Sequence, residues 1–155
     1  MSDESHFPFI REAIELAEAA VKHGNEPFGS VIVKDGSIIL RAENTVYSGH
    51  DMTNHAEMNV VRLANSHYEK EFLEDCTLYT STEPCAMCMG AIYWSGIRSV
   101  VYACSEQRLT EIVGGGLNID SRDVVAKASQ RVTISGPILQ EEADLVHLNY
   151  WKTDK

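Results

Sequence analysis

Apolar side chains recur at Phe9, Ile10, Ala13, Ile14, Leu16, Ala17, Ala20 and Val21, a helical period across residues 7 to 23 with Gly24 as its stop. One face of that helix is therefore predicted to meet a core. Two strand-like runs follow at residues 30–34 and 37–41, joined by Asp35-Gly36, a strong hairpin signal. Met58, Val60, Val61, Leu63 and Ala64 predict a helix that opens at His55 and runs to about Asn65. Residues 77–81 and 99–103 read as strands on either side of a further helix, residues 131–136 as a last strand, and residues 139–151 as a last helix with Ala143, Leu145, Val146 and Leu148 inward. Strands that alternate with helices imply parallel βαβ units, so the pattern predicts a three-layer α/β/α fold with a five-stranded mixed sheet between helices. Residues 105 to 120 show no such period, and Gly114-Gly115-Gly116 predicts a flexible loop near a pocket.

Chemistry concentrates in two short stretches, His55-Ala56-Glu57 and Pro84-Cys85-Ala86-Met87-Cys88. Catalytic zinc takes three protein ligands and leaves one position open for water, and His55, Cys85 and Cys88 supply that count. Cys85 and Cys88 stand three residues apart, so at a helix start both sulfurs reach one ion. Glu57 is then free to move protons, and a metal lowers the pKa of the water it holds to roughly 7. A structural zinc site or a redox pair are the plainer readings of Cys-x-x-Cys. The first usually closes all four positions with protein ligands, and the second leaves His55 and Glu57 unexplained. Cys76 and Cys104 lie in apolar runs and read as packing residues. His50 reads as a loop histidine, and Glu83, held extended before Pro84, receives no chemistry. The triple glycine lacks the Lys-Ser/Thr of a phosphate-binding loop.

Composition narrows the partners. The 155 residues fit one domain spanning 1–155, with 44% hydrophobic residues and no apolar run long enough to cross a membrane. No basic, apolar leader opens the chain, and four cysteines, two of them assigned to metal, predict a reducing cytoplasm. Thirteen Lys and Arg against twenty-three Asp and Glu give a net charge of −10. Such a surface repels a polyanion, which counts against nucleic acid as partner.

The H-x-E and P-C-x-x-C motifs, together with Pro27-Phe28-Gly29, Asn44 and Gly90-Ala91-Ile92-Tyr93-Trp94, resemble the cytidine-deaminase-like superfamily of zinc deaminases over nearly the whole chain. The similarity is greatest to the branch of bacterial guanine deaminases, fungal-type cytosine deaminases and tRNA adenosine deaminases. It implies one Zn2+ per chain held by His55, Cys85 and Cys88, hydrolytic release of ammonia with Glu57 as proton carrier, and a homodimer. Asn44 is implied as a hydrogen-bond partner of the substrate, with a turn residue as its plain alternative. The backbone amides of Ala56 and Glu57 are candidates to bind substrate, and Phe28 and Trp94 to wall a planar pocket or fill the core. The aromatic tail with Tyr150 and Trp151 is a candidate to cover a base, or to pack inside. Guanine deaminases carry an acidic residue after the metal helices, and Asp120 and Asp123 stand here at a shifted place. The resulting expectation is deamination of a free nucleobase, guanine first, cytosine second and the wobble adenosine of tRNA third. A non-catalytic zinc-binding partner subunit is the reading from another class, and the intact Glu57 opposes it.

Overall fold

The computed structural model describes residues 3–151. A 3-10 turn at Asp3–His6 leads into helix α1 (Phe7–Lys22), which buries Ile10, Ala13, Ile14, Ala17 and Ala20 on one face as their spacing requires. Strands β1 (Gly29–Lys34) and β2 (Ser37–Glu43) form the expected hairpin. Asp35 and Gly36 both adopt positive φ, 50° and 78°, the backbone that a two-residue turn needs to match strand twist. Then follow α2 (Ala56–His67), α3 (Lys70–Leu73), β3 (Thr77–Thr82), α4 (Ala86–Ser95) and β4 (Ser99–Cys104). The chain closes with α5 (Glu106–Val113), α6 (Ser121–Val124), β5 (Thr133–Ser135) and α7 (Gln140–Trp151).

The sheet is five-stranded and mixed, in the order β2-β1-β3-β4-β5. β1 runs antiparallel to β2 and β3, whereas β3, β4 and β5 are parallel. Period-two alternation divides the central strands between two cores. Ile32, Leu78 and Val100 meet Val60, Met89 and Ile92 of α2 and α4 on one face. Val31, Val33, Tyr79, Val101 and Ala103 meet Ile10 and Ile14 of α1 and Ala143 of α7 on the other. Each fully buried Leu, Ile or Val contributes about 1.5–3 kcal/mol of transfer free energy, so both helical layers are held chiefly by apolar burial. A Cβ at Gly29 would lie 2.3 Å from the Ala13 carbonyl oxygen and 2.5 Å from Leu16 Cβ, so only glycine lets β1 begin against α1. Among the described residues no helix is long and apolar enough to cross a membrane.

The stretch expected to be a loop, residues 105 to 120, is helical over its first half. Ser105 caps α5 by accepting the Arg108 N–H, and Gly114 ends it in the left-handed region at φ 95°. The helix escapes a periodicity search because it is only eight residues long and buries just one of them, the charged Glu106. Only the following residues, 114–120, are irregular.

Candidate metal centre and active site

Both metal motifs stand at helix starts. His55 is the N-cap of α2 and Cys85 the N-cap of α4, each with extended backbone, which places Cys88 in the first turn above Cys85. The loop before His55 is clamped by Asn59, whose Nδ2 donates to the Glu43 carbonyl and the Thr45 hydroxyl, both at 2.9 Å. Strand β3 ends at Thr82 and delivers Cys85, so the centre lies beyond the carboxyl end of a central strand. His50, on the same loop, is exposed.

His55 Nδ1 lies 3.6 Å from Cys85 Sγ and 3.5 Å from Cys88 Sγ, and the three ligand atoms all fall within 4.8 Å of one another. That spacing and donor set fit a zinc ion with a fourth position open. Hydrogen bonding to Cys88 and His55 holds the Cys85 thiol down at about 4, while its bond to Cys85 and burial push the Cys88 thiol up. The Cys85 sulfur is thus favoured as thiolate and the Cys88 sulfur as thiol with its proton in place. The charge of a bound ion releases it, as thiolate ligation requires.

Glu57, in the first turn of α2, is 4% exposed. Burial pushes its carboxyl up to about 7, reinforced by the charge of Cys85 and opposed by His55. It shares a cavity of about 230 Å3 with His55, Cys85 and Phe28, closed on the other side by Glu83, Glu106, Leu109, Gly116 and Leu117. A larger cleft of about 920 Å3 adjoins it and shares Glu83 and Glu106, but no metal ligand reaches that cleft. The chemistry belongs to the smaller space.

The other sequence candidates separate. Asn44 is fully buried, its N–H donates to the Phe28 carbonyl at 3.0 Å, and its Oδ1 accepts the Val46 N–H. Its Nδ2 is buried without a partner, and an orphaned buried donor requires an explanation. Ala56 opens α2, and the His55 N-cap offers no side-chain acceptor; the Glu57 N–H meets its own carboxylate and the Met58 N–H the Cys88 sulfur. Trp94 does not line the cavity. It is 78% exposed and stacks edge-on with Tyr93, because nine residues of α4 carry it about 13 Å along the axis from Cys85. Asp120 is likewise outside the metal cavity: its Oδ1 accepts the Arg122 N–H at 2.8 Å, capping α6 beside the larger cleft.

Tyr150 and Trp151 pack against each other at the end of α7, and neither lines the cavity. The Trp151 indole N–H donates to His147 Nδ1 at 3.1 Å, leaving His147 Nε2 to donate to the Thr82 hydroxyl at 2.7 Å. The His147 ring meets Phe28 edge-on, with centroids 5.3 Å apart. Trp151 thus backs the pocket wall from behind. Residues 152–155 of the tail lie outside the described residues.

Two carboxylates that carried no assignment in the sequence organise the far wall. Glu83 accepts the Glu106 N–H through Oε1 and the Ser121 N–H and hydroxyl through Oε2, tying the starts of α5 and α6 to the end of β3. Glu106, 8% exposed, faces the metal cavity from α5. The Ser105 cap followed by an acidic first turn was the available signal for both the helix and its glutamate.

Comparison with known proteins agrees with this geometry. Residues 3–104 match the family described as the cytidine and deoxycytidylate deaminase zinc-binding region. A probable cytosine deaminase of Schizosaccharomyces pombe is 40% identical over 154 residues, 96% of this chain and 93% of the relative. A tRNA-specific adenosine deaminase of Streptococcus pyogenes is 41% identical over 100 residues, 64% of this chain and 63% of its own. The structure of the guanine deaminase from Nitrosomonas europaea superposes with a TM-score of 0.81 at 26% identity, covering 93% of this chain and 83% of that one. With its His and Cys donors in place for zinc, the chain belongs to the cytidine-deaminase-like family of zinc deaminases.

Proposed function

We propose that residues 1–155 form one aminohydrolase domain that removes ammonia from a free nucleobase, guanine first. The observation that carries this reading is a buried carboxylate, Glu57, in the same cavity as His55 and Cys85, of about 230 Å3, a space on the scale of one planar base. Zinc held by His55, Cys85 and Cys88 supplies the Lewis acidity that activates water. With zinc bound, Glu57 would carry one proton of that water to a ring nitrogen as the water oxygen bonds the amine-bearing carbon, and the second to the amine as the C–N bond breaks, the carbonyl forms and ammonia leaves. The unpartnered Asn44 Nδ2 donates to the base, and the amides of Ala56 and Glu57 at the start of α2 bind its polar edge or the charge that develops there. Phe28, held by His147, supports the ring.

Guanine stands first because a guanine deaminase structure superposes over 93% of the chain with a TM-score of 0.81. Cytosine is the second reading, favoured by a near full-length relative and by Asp120, whose carboxylate caps α6 and so is not at hand for a purine. The net charge of −10 weighs against a tRNA stem. The homodimer belongs to the same reading, supported by the exposed Trp94 indole on α4. Ammonia release by zinc-loaded protein from guanine, cytosine, adenine, their nucleosides and a tRNA anticodon stem tests it. Turnover of one free base is expected, with kcat lowered by about 10²–10⁴-fold in Glu57→Gln. Undiminished turnover in Glu57→Gln would overturn the mechanism.

A further inference from the structure

Two spaces meet at residues 116–118. Gly116 and Leu117 line the metal cavity of about 230 Å3, Asn118 lines the adjoining cleft of about 920 Å3, and Glu83 and Glu106 border both. The segment therefore stands as a partition between the two. It is held to α5 by two bonds: Asn118 Oδ1 accepts the Thr110 hydroxyl at 2.6 Å, and the Asn118 N–H donates to Glu106 Oε2 at 3.3 Å. Asn118 has φ at 60°, a left-handed backbone that asparagine adopts more readily than most residues. Just before the partition, a Cβ on Gly114 or Gly115 would meet nothing within 4 Å, so the chain that leads into it has room to turn. Leu117 is the apolar side chain of the partition, and it lines the cavity while remaining 62% exposed.

A space of about 230 Å3 suits one planar base, and a nucleoside bound there must place its sugar elsewhere. The adjoining cleft has both the volume and the chemistry for a sugar, since Gln107 and Gln140 carry amides that can meet hydroxyl groups. It does not suit a phosphate. Glu83, Glu106, Glu111 and Asp120 line it, and the one cation among its described lining residues is Arg122. That guanidinium is already engaged by the Tyr102 hydroxyl and the carbonyls of Ile134 and Gly136. Resting on the deaminase reading above, we propose that Leu117, latched by Thr110 and Asn118, confines the site to free bases, and that releasing it joins cavity and cleft into a site for nucleosides.

Ammonia release by zinc-loaded protein from guanine, cytosine, their nucleosides and the nucleoside 5′-monophosphates is compared in the parent, Leu117→Ala, Thr110→Val and Thr110→Ser. The parent is expected to favour its preferred base over the nucleoside by about 100-fold in kcat/KM. Leu117→Ala is expected to narrow that gap about 10-fold by admitting the nucleoside, with zinc content and Tm unchanged because so exposed a side chain carries little packing. Thr110→Val removes the latching hydroxyl at nearly constant shape and narrows the gap too, whereas Thr110→Ser keeps the hydroxyl and the gap. The monophosphates gain nothing in any variant; a gain equal to the nucleoside's would overturn the placing of the sugar in the acidic cleft. A parent that accepts the nucleoside as readily as the base, or a gap unmoved in both Leu117→Ala and Thr110→Val, overturns the proposal. Calorimetric binding of base and nucleoside to the same variants built on zinc-loaded Glu57→Gln protein separates this from the chemistry. If the gap and its narrowing appear in binding while protein with Glu57 intact releases no ammonia, the deamination reading fails and the partition stands. If ammonia comes from the base but no variant moves the gap, deamination stands and the partition falls.

Discussion

The two walls of the metal cavity are built in opposite ways. On the ligand side, His55, Glu57, Cys85 and Cys88 sit within the first turns of α2 and α4, and motif spacing alone brings them together. On the far side, Glu106, Leu109, Gly116 and Leu117 come from a short helix and a glycine-rich segment that are placed by Glu83, which follows β3 at the joint of the two walls. The first wall is local in sequence and carries the chemistry. The second is tertiary, and its side chains meet whichever part of a substrate faces away from the metal. The contrast teaches where reaction and specificity can separate: proteins similar to this chain are named for different bases, cytosine, the adenosine of tRNA and guanine.

That division can be broken at its strongest point first. Cys85→Ala with Cys88→Ala is expected to abolish zinc retention and to lower turnover by about 10⁶-fold, the low end of enzymatic acceleration. Metal content by mass spectrometry and ammonia release check this, and zinc kept by the double variant would dissolve the ligand wall as described. Glu83→Ala attacks the joint between the walls. It strands the Glu106 and Ser121 amides in a buried setting and is expected to cost about 3 kcal/mol of stability. Zinc content should stay intact while KM rises, as denaturant unfolding and steady-state kinetics would report. Loss of zinc instead would mean that Glu83 belongs to the ligand side.

The smallest effect falls on neither wall, but on the helix behind Phe28. Burial holds the His147 imidazole down at about 4, whereas the unfolded chain takes up its proton near pH 6.5. The folded state therefore holds its full advantage above pH 6.5 and loses it as pH falls towards 4, because the unfolded state then binds the extra proton. Between pH 7 and 5 this amounts to about 2 kcal/mol. A Tm that drops over that range in the parent and less in His147→Gln is the expected result. Equal drops in both would remove His147 as the cause.

Helix α1, the β1–β2 hairpin and the parallel strands were legible because each carries a long apolar period or a turn with fixed backbone demands. The last helix forms where expected, but its inward face differs: Ala143 and His147 are buried, whereas Leu145 and Leu148 face outward, 61% and 40% exposed. The metal ligands were legible for a related reason, since one ion restricts spacing as strictly as a helix does. Trp94 and Asp120 were misplaced because an aromatic or an acid near a motif says nothing about which way a helix turns it. Trp94 ends far along α4, and Asp120 is consumed by capping α6. Tyr150 and Trp151 belong to a wall only indirectly, through His147 and Phe28.

By itself the sequence determined the order of the five strands and of helices α1, α2, α4 and α7, and the spacing of the zinc-type ligands His55, Cys85 and Cys88, because periodicity and ligand spacing act over a few residues. The tertiary structure alone decided that Glu83 ties α5 to the sheet and that Glu106 lines the metal cavity. Those contacts join residues 23 and 38 positions apart through buried carboxylate hydrogen bonds. No local pattern encodes such a bond, since its strength comes from the desolvation that only the assembled fold provides.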